Sequence, residues 1–361
     1  MSHHGKSHQV RFCIFFQCYV KINQNNFTCV TFLSREKKKL VKMSKGSCIH
    51  WFRKGLRLTD NPALLASLEI HKGSHLELRP VFVLDPWFVK HGQVGENRWR
   101  FLAQTLEDLD SQLKNLGSRL FVVRGSPKDV LPKLFKSWNV KKLTFESDTE
   151  PYSVKRDEEI TDLAEKFNVE VVTKLSHTLF NPQDVVKKNK GQTPKSYQSF
   201  QNIVASMPKP EKPSPKMTSI PKECKISNQS DLKDKEYDAP TLKELGLVES
   251  ELQPCKFPGG ETEGLQRLEK YICEKNGKWV RGFEKPKTSP NSLEPSTTVL
   301  SPYLKFGCVS CRDMYYRLMD VYAKGQHSKP PVSLVGQLLW REFFYTCGAT
   351  IDNFNQMKGN R

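Results

Sequence analysis

The strongest constraint on the fold is a repeated alternation of short apolar runs with amphipathic stretches between Cys48 and Val172. Cys48–Phe52, Leu78–Leu84, Leu120–Val123, Leu143–Phe145 and Val169–Val172 read as strands. Helices are predicted over Asn97–Leu116, Pro127–Trp138 and Val154–Phe167. In the first of these, Trp99, Leu102, Leu106, Leu109 and Leu113 recur at helical spacing, and Gly117 stops the pattern. Asp60-Asn61-Pro62 offers a cap followed by a proline suited to a first helical turn, continued by Ala63 to Leu68. Strands separated by helices pair in parallel, with the helices on both faces of one sheet. The expectation is a five-stranded, doubly wound parallel α/β domain over residues 47–176.

Downstream the pattern changes twice. Residues 177–258 are read as a connection between domains, and Met207 to Gln253, rich in Pro, Lys, Ser and Asp, has little core of its own. After Pro258-Gly259-Gly260 the periodicity is helical: Glu261–Glu274, Ser301–Phe306, Cys311–Tyr322 and Ser333–Tyr345. Residues 259–361 are therefore expected to begin an all-α domain. Residues 1–46 read as a disordered extension, with Met43 as the natural start.

Several function classes are disfavoured. The first strand is followed by Gly55 alone and not by a GxGxxG turn, which argues against a dinucleotide site there. Phe12–Val20 is too short to span a bilayer, and no membrane role is expected. The ten cysteines are scattered, and Cys308-Val309-Ser310-Cys311 has no second pair or suitably spaced histidine to complete a zinc site. A net charge of +18 fits either a lysine-rich surface or a polyanionic partner such as DNA.

Ser301-Pro302 has the form of a helix start, with Thr297 and Thr298 just before it. Hydroxyls and free backbone N–H groups at such a start suit a phosphate, and they equally suit plain capping. Gln337, Trp340, Arg341 and Phe344 fall at helical spacings, so one face offers an amide, an indole and a cation. Packing is the plain alternative for Trp340, and an ion pair with a carboxylate for Arg341. Arg53, Lys54 and Arg57 could meet a chromophore or a polyanion, but Arg57 and Asp60 more simply fix the loop after the first strand.

Four motifs then stand in one order: Trp51–Leu64 (WFRKGLRLTDNPAL), Phe257–Glu263 (FPGGETE), Ser296–Gly307 (STTVLSPYLKFG) and Gly336–Tyr345 (GQLLWREFFY). Together they resemble the photolyase/cryptochrome family from about Ser47 to Arg361. Phe135–Trp138, Glu150–Val154 and Phe283–Thr298 look most like the animal (6-4) DNA photolyases. The resemblance implies FAD in the helical domain. Lys285, Thr297, Thr298, Val299, Leu300, Ser301, Gln337 and Arg341 would lie at the cofactor, and Lys285, Gln337, Trp340 and Phe344 at a flipped lesion. A deazaflavin or folate antenna would belong to the α/β domain.

What the resemblance implies for function is a light-dependent lyase that reverses (6-4) photoproducts in UV-damaged DNA by electron transfer from reduced FAD. A signalling cryptochrome, either photoreceptor or circadian regulator with clock or transcription proteins as partners, is the second reading. A non-catalytic α/β domain is the third. The expected compartment is the nucleus, with the cytoplasm as a second location. By the same resemblance the family's catalytic histidines and the helices closing the flavin pocket would follow Arg361. The chain then reads as an N-terminal fragment that binds flavin weakly and is catalytically inactive, and catalytic residues stay unassigned.

Overall fold

The computed structural model describes residues 45–86, 94–274, 277–285, 297–351 and 354. Residues 1–44 and the segment Pro286–Ser296, which carries part of the (6-4)-type resemblance, lie outside them. The strands are β1 (Ser47–Phe52), β2 (Glu77–Leu84), β3 (Phe121–Arg124), β4 (Val140–Glu146) and β5 (Glu170–Lys174). All pair in parallel, in the order β3-β2-β1-β4-β5. This is the predicted doubly wound sheet.

Its helices are α1 (Pro62–Ala66), α2 (Glu96–Asn115), α3 (Pro127–Ser137) and α4 (Pro151–Lys166). Successive residues of a strand face opposite sides, so β1 feeds two cores. Ile49 and Trp51 pack with Leu131, Leu134 and Phe135 of α3 and Ile160 and Ala164 of α4. Phe52 packs on the other side with Leu102, Leu106, Leu109 and Leu113 of α2. Leu106, Leu109 and Leu113 are fully buried, each contributing about 1.5–3 kcal/mol. Asn61 caps α1 as expected, accepting from the Leu64 N–H at 3.0 Å. α1 ends at Ala66, earlier than the predicted Leu68.

Beyond the sheet come α5 (Pro182–Lys188) and α6 (Tyr197–Ala205), neither of which the sequence reading anticipated. Then follow α7 (Glu261–Leu268), a π-helical stretch Glu269–Glu274, α8 (Gly277–Gly282), α9 (Ser301–Phe306), α10 (Cys311–Tyr322) and α11 (Leu334–Thr350). The single helix expected over Glu261–Glu274 thus changes winding midway. These helices share a third core built on Phe200, Leu268, Tyr303, Leu318 and Leu338. Phe101 of α2 reaches into it, with its ring 5.1 Å from Tyr303 and 5.0 Å from Phe306.

The long connection is more anchored than its composition suggested. Met217, Ile220 and Cys224 join the α2 side of the sheet, and Ile226 joins the opposite side. The chain therefore wraps from one face to the other at the β3 edge. Tyr237 sets its ring against Phe121 and Trp138 at 5.4 and 5.8 Å. Arg79, Arg119 and Arg124 hold it through Asp231, Asp238 and Glu244 at 2.8, 2.7 and 2.8 Å. A few apolar plugs and three ion pairs suffice, and none of them has a periodic signature.

Candidate functional site

The loop after β1 fastens the sheet to the helices. Arg57 is buried and donates to the carbonyls of Thr59, Asp60, Gly307 and Ser176 at 2.9, 2.8, 3.0 and 3.4 Å. Asp60 is fully buried and accepts from Arg312 Nη2 at 2.6 Å and Nε at 3.0 Å, and from the Ser310 hydroxyl. Glu261 accepts from the Leu58 and Thr59 N–H groups at 2.9 and 2.8 Å. Arg57 and Asp60 thus have the fixing role the sequence suggested. Arg53 lies over the Trp51 and Phe145 rings and pairs with Asp157.

Beside this joint opens a cavity of about 600 Å³. Thr297, Thr298, Val299, Leu300 and Ser301 line one side, and Gln337, Arg341, Phe344 and Tyr345 of α11 the other. Phe283, Leu304, Met314, Leu334 and Leu338 give it an apolar floor, while Lys305 and Glu150 stand in its wall. On α11, Gln337, Arg341, Phe344, Tyr345 and Gly348 recur at i, i+4, i+7, i+8 and i+11, one stripe along the helix.

Three sequence expectations need correcting. Ser301 does not cap α9. Leu300 occupies the capping position in helical conformation, and no side chain accepts there. The cause is Val299, whose φ of 51° turns the chain one residue early. Ser301 is therefore the first helical residue and stays exposed. Trp340 does not line the cavity. It sits at the border of the α11 stripe and stacks on Tyr197 of α6, with centroids 4.0 Å apart and planes at 14°. Lys285 is exposed and absent from the lining, whereas Phe283, two residues earlier, is buried and lines it.

Electrostatics shape the far wall. Arg341 donates to Glu342 Oε1 at 3.0 Å and lies 4.4 Å from the centre of the Tyr345 ring. Glu342 is buried and also accepts from the Leu179 and Phe180 N–H groups at 2.6 and 3.3 Å. Burial pushes its carboxyl up to about 7 against the pull of Arg341 and those N–H donors. His177, buried and edge-on to Tyr345 at 5.1 Å, is pushed down to about 4, again chiefly by burial. Arg267 holds the opposite wall by donating to the Thr298 carbonyl at 3.2 Å.

The sequence reading missed Glu150, Lys305, Glu342 and Tyr345. Lys305 follows Ser301 by four residues and Tyr345 follows Gln337 by eight, so helical spacing alone could have placed both on their faces. Glu150 and Glu342 carried no such signal. Cys308 and Cys311 are both buried, their thiols pushed up to about 12 by burial.

The cavity suits a ligand with both apolar and anionic parts. Its size is that of a cofactor site, and hydroxyls, cations and aromatic rings converge on it. The DNA photolyase family profile matches residues 48–217. Cryptochrome-2 of Gallus gallus is 49% identical over 320 residues, covering 88% of this chain and 54% of that protein. Cryptochrome-1 of Mus musculus is 48% identical over 316 residues, covering 87% and 51%. The chain spans about half the length of these relatives. Among solved structures, an archaeal photolyase from Sulfolobus tokodaii with two FAD molecules aligns at 26% identity and a TM-score of 0.62, covering 85% of this chain and 60% of that one. A Synechocystis cryptochrome aligns at 24% and 0.65, covering 85% and 62%, and shares the fold.

Proposed function

This chain belongs to the photolyase/cryptochrome family, and we propose that it binds FAD in the 600 Å³ cavity and serves a signalling cryptochrome. The observation that supports the cofactor is one enclosure that gathers Thr297, Thr298, Ser301, Gln337 and Arg341. The hydroxyls and Lys305 suit the phosphates, and Phe344, Tyr345 and Leu338 suit a flat ring system. FAD, when bound, supplies absorption of blue light and one-electron chemistry. The chain's own residues bind and orient it, and the apolar floor keeps water away.

The signalling reading draws on the cryptochrome relatives and on Trp340. One face of its indole packs on Tyr197, which favours a packing role over that of a platform for a flipped base. On this reading the partners are clock or transcription proteins and the compartment is the nucleus and cytoplasm. No helix of the described residues is long and apolar enough to cross a membrane.

Repair of (6-4) photoproducts is the second reading. It is favoured by Phe344, 54% exposed beside Gln337, which offers a ring and an amide at the cavity. A second cavity of about 210 Å³, lined by Trp51, Phe52, Trp99, Arg98 and Arg156, is the place we assign to a deazaflavin or folate antenna. The test loads the chain with FAD, illuminates it with UV-damaged DNA, and measures photoproduct content. Light-dependent loss of photoproduct supports repair and overturns the signalling reading. Failure to take up flavin at all refutes the cofactor assignment.

A further inference from the structure

The two cavities share a wall, and it is charged. Glu150, at the start of α4, and Lys305, on α9, line both. Lys305 Nζ lies 3.1 Å from Glu150 Oε1, and Lys54 Nζ lies 2.9 Å from the same oxygen. Lys54 also pairs with Asp148 at 2.7 Å. Both members of the Glu150–Lys305 pair are about half exposed, at 50% and 48%, so water screens their attraction. Glu150 keeps Lys54 when Lys305 leaves.

Lys305 also has a second face to serve. It follows Ser301 by one helical turn, so both side chains stand on the same side of α9, and both line the first cavity. A flexible ammonium with three donors can reach either a carboxylate or a phosphate from one backbone position. An anion near Thr297 and Ser301 therefore competes with Glu150 for it.

We propose that Lys305 is a specificity-determining cation for phosphate-bearing ligands of the first cavity, restrained by Glu150 until a phosphate draws it away. This rests on reading that cavity as a flavin-nucleotide site. Glu150 then sets how strongly the cavity prefers a phosphorylated flavin over a bare one. Because the same pair walls the second cavity, a phosphate in the first also leaves Glu150 less neutralised beside the second.

The experiment titrates the full 361-residue chain with riboflavin and with FAD, and compares the ratio of affinities. Riboflavin has no phosphate and reports whether the cavity is intact. E150Q releases Lys305 and should raise the FAD-to-riboflavin ratio roughly two- to fivefold, the span expected for a half-exposed ion pair. K305Q should lower the ratio by about fivefold, K305R should restore it, and E150Q/K305Q should match K305Q. An E150Q effect that persists without Lys305, or a ratio that ignores both substitutions while riboflavin binds normally, overturns the proposal alone. If the wild-type chain binds neither riboflavin nor FAD, the flavin reading fails and this proposal with it.

Discussion

Gly55 and Gly307 face each other with no room for a side chain between them. A Cβ on Gly307 would overlap the amide nitrogen and Cα of Gly55. Both have positive φ, at 74° and 70°. Next to them the Leu56 N–H donates to the Phe306 carbonyl at 3.2 Å, and Arg57 donates to the Gly307 carbonyl. Here the loop after β1 meets the end of the α9 cavity wall.

Gly307→Ala should therefore destabilise the protein by roughly 2–4 kcal/mol, combining the left-handed backbone with steric overlap. Urea denaturation measures this. Flavin uptake should fall with it, because α9 carries Ser301 and Lys305. A neutral substitution would mean that the joint is looser than its geometry.

Thr297 and Ser301 should separate. The Thr297 hydroxyl accepts from the Val299 N–H at 3.4 Å, a long bond within a turn. Ser301 makes no capping bond. Ser301→Ala should change the melting temperature little, within about 0.5 kcal/mol of stability, and weaken FAD binding. Thr297→Val should weaken FAD binding with a somewhat larger loss of stability. The readouts are apo-protein melting and flavin titration. Ser301→Ala with lower melting and unchanged FAD affinity would return the residue to a purely structural role.

Trp340→Ala should act on packing. Losing its stack on Tyr197 should cost roughly 2–4 kcal/mol of stability, with Trp340→Phe recovering much of it. Affinity for damaged and undamaged DNA should change equally. A selective loss on damaged DNA, measured by gel shift, would put the indole back at a lesion.

Two buried groups should give opposite pH slopes. The raised carboxyl of Glu342 binds a proton more tightly folded than unfolded, so its contribution falls as pH rises from about 4.5 to about 7. His177 stays neutral in the fold down to about 4 while its unfolded form charges near 6.5. Its contribution is therefore complete above 6.5 and is lost as pH falls towards 4. The wild type should show a shallow profile across this window. Glu342→Gln should leave stability rising with pH, and His177→Asn should leave it falling. Denaturation midpoints at a series of pH values check the signs.

The strands and long helices were legible because their periodicity is local. Ile49, Trp51 and Phe52 announce a two-faced strand, and Leu102 to Leu113 announce a helix. The lining of the candidate cavity was legible by motif, since Thr297, Thr298, Ser301, Gln337 and Arg341 meet there. Its details were not. Whether Ser301 caps depends on the φ of Val299, and whether Trp340 is free depends on Tyr197, which is far away in sequence. Glu150 gains its place only because the sheet and α9 meet, a fact no residue spacing contains.

The wrapped connection has a consequence for biogenesis. Among the described residues the β3 edge is covered by the connection around Tyr237, and Arg79, Arg119 and Arg124 wait for Asp231, Asp238 and Glu244. During synthesis all five strands leave the ribosome more than fifty residues before that cover is complete, leaving an open strand edge in the interval. Nascent chains stalled after β5 should be the species most dependent on chaperones.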